Sequence, residues 1–154
     1  MNQIAIQTIY KSEDQPGRRQ IQRWVDAVLA GSRKTHSCVI RIVNEQESAR
    51  LNQQYRHKQG PTNILSFPVE VPNGIELDLL GDLVICAPLV KKEALEQQKL
   101  LAHHWAHMIV HGVLHLLGYD HIDENEAEQM ENKEIAILKK LKISNPYAEV
   151  KTHE

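Results

Sequence analysis

Six of the nine histidines in this chain fall between residues 103 and 121. The stretch His111-Gly112-Val113-Leu114-His115-Leu116-Leu117-Gly118-Tyr119-Asp120-His121 has the spacing of a metal site. His111 and His115 are four residues apart, so on a helix their imidazoles share one face, a turn from each other. Gly118 follows as a natural helix terminator, because glycine takes the left-handed conformation cheaply and lets the chain double back. His121 then lies where it can close on the other two. Three imidazoles with an open position suit zinc best in a cytosolic protein, with nickel, copper or iron allowed by ligand type. Such a dication acidifies a bound water to a pKa of about 7. That water can act as nucleophile or base, or give way to a phosphate or carbonyl oxygen.

Other assignments compete at these positions. His103, His107, His111 and His115 all follow a four-residue step, so two other pairs would also fit on one face. Only His111 and His115 precede the glycine turn, which leaves His103, His104 and His107 to packing, to orienting a ligand or to the surface. Asp120 reads equally as a partner for an imidazole N–H and as an ordinary turn residue. Zinc proteases of the H-E-x-x-H type carry a glutamate base directly after the first histidine. Here that position is Gly112, which cannot accept a proton, and peptide hydrolysis by that route is disfavoured.

The elements that must position these residues follow from local patterns. Ile4, Ile6 and Ile9 suggest a short first strand. Ile21, Trp24, Val25, Val28 and Leu29 make an amphipathic helix from Arg18, ended by Gly31. Cys38–Val43 reads as a buried strand. Asn44 with Glu47 is a capping-box pattern and opens a helix whose expected inner face is Leu51 and Tyr55. Arg56, His57 and Lys58 end it, where positive charge suits the helix dipole; on local physics alone that accounts for Arg56. Ile64–Val69 is a third strand, and Pro68 suggests an edge or a strand end. A turn at Pro72-Asn73-Gly74 leads to a fourth strand at Leu83–Cys86. Pro88 fits the first turn of a helix running to about Gln98. The histidine helix spans about Leu100 to Leu117, with Trp105, Ile109, Val110, Val113, Leu114, Leu116 and Leu117 making it apolar nearly all round. Asp123 with Glu126 opens a last helix to about Leu141, and a loose tail is expected from Pro146.

The order β-α-β-α-β-β-α-α-α predicts an α+β fold: a mixed four-stranded sheet covered by about five helices, with a central apolar helix carrying the histidines. Length predicts one domain over residues 1–154. Neither a secretory signal nor a membrane span is legible. Cys38 and Cys86 read as buried free thiols. These features together favour a cytoplasmic protein. Net charge is −2, but residues 120–134 carry seven acidic side chains and one basic. The rest of the chain then has seventeen basic against thirteen acidic side chains, which is permissive of RNA binding without demonstrating it.

The histidine stretch, together with Tyr55-Arg56, Pro61-Thr62-Asn63-Ile64-Leu65-Ser66-Phe67-Pro68 and Leu80-Gly81-Asp82-Leu83-Val84, resembles the bacterial YbeY family, single-strand-specific endoribonucleases of ribosomal RNA maturation. The likeness is strongest from about residue 55 to 121. One departure is Asn63, where many members carry aspartate, which bears on any proton-transfer role there but not on the fold. The resemblance implies that His111, His115 and His121 bind one Zn2+ and that Arg56 belongs to the active site. Guanidinium is always charged and holds phosphate oxygens in a planar fork, where it can stabilise charge developing on a scissile phosphate. It further implies action on precursor small-subunit (16S) ribosomal RNA, notably its 3′ end, and in ribosome quality control, with single-stranded RNA and the ribosome as partners and no DNA or membrane expected.

Metal-assisted phosphodiester cleavage is the expected chemistry, with the nucleophile, water or the RNA 2′-OH, left open. A cleft lined by Arg56 and Lys58 would take unpaired RNA through its backbone more than its bases. Two other classes compete. One is a ribosome-assembly binding factor whose metal is structural. The other is a zinc hydrolase of small molecules or peptides, which needs a carboxylate base and has only Asp82 or Asp120 to offer.

Overall fold

Successive side chains of a strand point to opposite faces of a sheet, so the mostly apolar central strands of this chain need cover on both sides. A computed structural model describes residues 2–32, 34–70, 78–120 and 122–147. Its elements run β1 (Gln3–Thr8), α1 (Arg18–Leu29), β2 (Ser37–Val43), α2 (Glu45–Arg56), β3 (Ile64–Pro68), β4 (Leu79–Cys86), α3 (Ala87–Glu96), α4 (Leu101–Leu116) and α5 (Glu124–Lys140). The sheet order is β1-β2-β4-β3. β1 and β4 each pair parallel with β2, and β3 pairs antiparallel with β4. The fold is therefore α+β with a mixed four-stranded sheet, as the element order predicts. β3 is an edge strand, which is where Pro68 can sit without costing a ladder bond.

Ile4, Cys38, Ile40, Ile42, Leu83 and Ile85 project to one side and form the main core with α1, α4 and α5. Val43, Leu65 and Val84 project to the other side, where Leu51 of α2 and Phe67 pack on them. α4 is central: eleven of its residues are buried, from His104 to Leu116. Leu117 differs from expectation, being the exposed residue that caps the helix. Gly112 explains how α4 lies so close to the sheet, since a Cβ there would meet Ile64 Cδ1 at 2.6 Å and Leu83 Cδ2 at 2.8 Å. Among the described residues, no helix is long and apolar enough to cross a membrane. Cys38 and Cys86 are buried free thiols.

Both capping signals form. The Asn44 and Asp123 side chains accept from the backbone N–H of Glu47 and Glu126. The inner face of α2 departs from expectation, because Tyr55 is half exposed and the buried residues are Ser48 and Asn52. Their polar groups are satisfied by the loop before β3. The Ser48 hydroxyl donates to the Thr62 carbonyl at 2.8 Å and accepts from the Thr62 N–H at 3.0 Å. Asn52 Nδ2 donates to the Gly60 carbonyl at 2.9 Å. These bonds hold the 57–63 loop against α2. The expected turn at residues 72–74 lies outside the described residues.

Candidate metal centre and adjoining cleft

The C-terminal half of α4, the end of α2 and the edge strand β3 enclose a cleft of about 660 Å³. Arg56, Lys58, Ser66, His111, His115 and Asp120 all line it. Arg56 is in the last turn of α2 and crosses to β3, where Nη2 donates to the Ser66 carbonyl at 2.7 Å and the guanidinium lies 5.3 Å from the centre of the Phe67 ring. One edge of its fork is thus anchored while the residue remains exposed to the cleft.

On α4, the Nε2 atoms of His111 and His115 face each other at 3.1 Å. Two nitrogens this close need something between their lone pairs, either the N–H of one ring or a metal ion. Two imidazoles on one zinc in tetrahedral geometry hold their nitrogens about 3.3 Å apart, so the pair fits a divalent ion. The helix ends as the sequence predicts: Gly118 takes φ +104°, and the Gly118 and Tyr119 N–H groups bond the His115 and Leu114 carbonyls. His121, the third expected ligand, lies outside the described residues.

Behind His111 is a group that sequence reasoning missed. Glu134 of α5 is fully buried. His111 Nδ1 donates to its Oε1 at 2.5 Å and His107 Nε2 to its Oε2 at 3.1 Å, and the Tyr147 hydroxyl donates to Oε2. Burial alone pushes this carboxyl up, but the three donors outweigh it and hold it at about 2. Burial pushes His107 down against the pull of Glu134, which favours a neutral ring. Burial and then Glu134 push the Tyr147 phenol up, so it stays a donor. His107, His111 and Glu134 bring one donor atom each within 4.8 Å of one another and could hold a metal ion. Pro146 and Tyr147 depart from the expected loose tail, since Tyr147 is bonded to this group and Lys99 Nζ donates to the Pro146 carbonyl at 3.0 Å; the rest of that tail lies outside the described residues. One signal was available: Glu134 falls in the Met130, Ile137, Leu138 stripe that α5 buries.

The remaining candidates separate clearly. His104 is buried, and its Nε2 donates to Glu93 at 2.9 Å. Glu93 also accepts from Asn63 Nδ2 at 3.1 Å on each oxygen, while Asn63 Oδ1 accepts from the Ile64 N–H. Asn63 therefore pins the start of β3. Gly112 faces the sheet, so the position that bears the base in zinc proteases points away from the cleft. Asp82 lines a different hollow, with Gln7, Val39, Arg41 and Tyr55, and does not supply a base to the histidine pair.

Comparison with known proteins follows the same lines. The family model described as Endoribonuclease YbeY matches residues 5–142. A protein of Colwellia psychrerythraea named endoribonuclease YbeY is 56% identical over 138 residues, covering 87% of this chain and 89% of the relative. A Methylococcus capsulatus protein of the same name is 58% identical over 137 residues, 88% of this chain and 89% of the relative. The solution structure of a Thermotoga maritima protein is similar in fold, with a TM-score of 0.58 at 20% identity, covering 97% of this chain and 99% of that one.

Proposed function

The chain belongs to the endoribonuclease YbeY family and is a nuclease that hydrolyses RNA, and on that premise we propose that the cleft between Arg56 and the His111–His115 pair is where a single-stranded RNA is cut. The observation that carries this is that Arg56, Lys58, His111 and His115 line one cleft. Cationic side chains thereby stand across from a pair of imidazoles spaced for a cation. His111, His115 and His121 are the proposed ligands of one Zn2+, and the whole chain is taken as one domain. When bound, the ion supplies Lewis acidity beside the scissile phosphate.

The chain's own residues do the rest. Arg56, steadied by the Ser66 carbonyl, binds phosphate oxygens through its free edge and offsets charge that grows during cleavage. Lys58 attracts the neighbouring phosphate as a point charge. The cleft is open and carries the cations Arg56 and Lys58, which suits contact with an unpaired backbone. The proposed substrate is precursor small-subunit ribosomal RNA at its 3′ end, met on the ribosome in the cytoplasm, with a part in ribosome quality control.

The test is cleavage of single-stranded RNA and of peptides by the purified protein, with and without chelator. His115→Ala is expected to lose both metal and cleavage, and Arg56→Ala to keep metal and lose most cleavage. Normal RNA cleavage by the metal-free protein, or by Arg56→Ala, would overturn the proposal.

A further inference from the structure

We propose that Glu134 is a positioning residue: its buried carboxylate holds the Nδ1–H of His111 so that the Nε2 lone pair of that ring points at His115 and into the cleft. This rests on the reading of His111 and His115 as metal ligands.

An imidazole offers a lone pair at one nitrogen only when the other carries the proton. His111 Nδ1 lies 2.5 Å from Glu134 Oε1, and a carboxylate can only accept, so the proton is on Nδ1. The acceptor is itself immobile. Its other oxygen takes the His107 Nε2–H and the Tyr147 O–H, so rotating the carboxylate breaks three bonds at once. Three segments, α4, α5 and the residues after α5, converge on two oxygen atoms. A carboxylate behind an imidazole also raises the basicity of the far nitrogen and orients the ring.

The same geometry argues that Glu134 orients a ligand and is not one. Ligand atoms sharing one zinc stand about 3.3 Å apart, whereas His111 Nδ1 and Glu134 Oε1 are at hydrogen-bond distance. His111 and His115 line the cleft and Glu134 does not. A fully buried acid in the otherwise apolar stripe of α5 is costly to keep, since a buried charge needs several partners. Its three donors remove that cost, and orienting His111 gives the arrangement a use.

The experiment uses the full chain and measures Zn2+ affinity by chelator competition, the Zn2+ ligand set by X-ray absorption, and the His111 tautomer by 15N NMR of the metal-free protein. Glu134→Gln is expected to bind Zn2+ about 10–100-fold more weakly with an unchanged ligand set, and to weaken the Nδ1–H tautomer preference at His111, since a neutral amide oxygen is a poorer acceptor than a carboxylate. Tyr147→Phe, which removes one of the three donors and leaves the carboxylate, is expected to weaken Zn2+ binding a few-fold, and it carries the test if Glu134→Gln does not fold. Wild-type affinity and an unaltered tautomer in Glu134→Gln, or wild-type affinity in Tyr147→Phe where only that variant folds, would overturn the proposal. Loss of a carboxylate oxygen from the ligand set in Glu134→Gln would also overturn it, by making Glu134 a ligand in the His107–His111–Glu134 group. Unchanged Zn2+ affinity in His115→Ala would instead defeat the ligand reading, and the positioning role with it.

Discussion

Substituting Gly112 tests whether contact between α4 and the sheet sets the position of the histidines. Gly112→Ala has two opposing effects. Alanine is favoured over glycine inside a helix by about 1 kcal/mol. Its Cβ, however, would stand 2.6 Å from Ile64 Cδ1 and 2.8 and 3.1 Å from the two Leu83 methyls. Ordinary carbon contacts begin at about 3.5 Å, so these groups must move by about 0.4–0.9 Å. Leu83 is fully buried, and overpacking of this kind costs about 1–3 kcal/mol. The net expectation is a loss of about 1 kcal/mol. That is read as a lower urea midpoint at unchanged slope, or a fall in Tm of about 2–4 °C for a chain of this size. Gly112→Glu, which recreates the protease-like H-E-x-x-H pattern, would drive an unpaired carboxylate into the same contact, cost about 3–5 kcal/mol or prevent folding, and create no peptidase. An alanine variant more stable by the full helix-propensity gain would refute the argument, because the close approach would then carry no steric cost.

Asn63→Asp would set two carboxylates against each other where Asn63 now donates to both oxygens of Glu93. A loss of about 2–3 kcal/mol is expected at neutral pH. Because each carboxylate opposes the other's charge, one takes a proton above the ordinary carboxylate range, so the loss begins to shrink there and fades as pH falls further; urea unfolding of both proteins across pH checks it. In the wild type, burial raises the Glu93 carboxyl, but the bonds from His104 and Asn63 outweigh it and leave it below its ordinary value. Its stabilising contribution is therefore full above about pH 4.5 and fades as pH falls through the folded value. Asn52→Ala would strip the Gly60 carbonyl of its donor and cost about 1–2 kcal/mol. Hydrogen exchange should then rise in the 57–63 loop while α4 stays protected.

Local sequence patterns placed every strand and helix of the described residues, because the β-branched, mostly apolar run Cys38–Val43 and the three-and-four spacing of Ile21–Leu29 are local properties of the chain. The glycine turn at Gly118 and the caps at Asn44 and Asp123 are equally local and formed as expected. The inner face of α2 was not legible, since Ser48 and Asn52 are buried only because a loop 14 and 8 residues on, respectively, presents carbonyls and an N–H to them.

At the site, the sequence by itself determined that His111 and His115 share a helix face, because four residues are one turn, and that the position between them bears no base. Only the tertiary structure decided that this base position faces Leu83 and Ile64 and not the cleft. It also decided that Arg56 reaches the same cleft as the histidines from 55 positions earlier in the chain. The meeting of Glu134 with His111, His107 and Tyr147 was likewise out of reach. In the chain Glu134 is one acid among seven in a solvated-looking run. Whether a carboxylate is buried and paired depends on which face of its helix packs against which neighbour, and that is set by contacts between elements far apart in sequence.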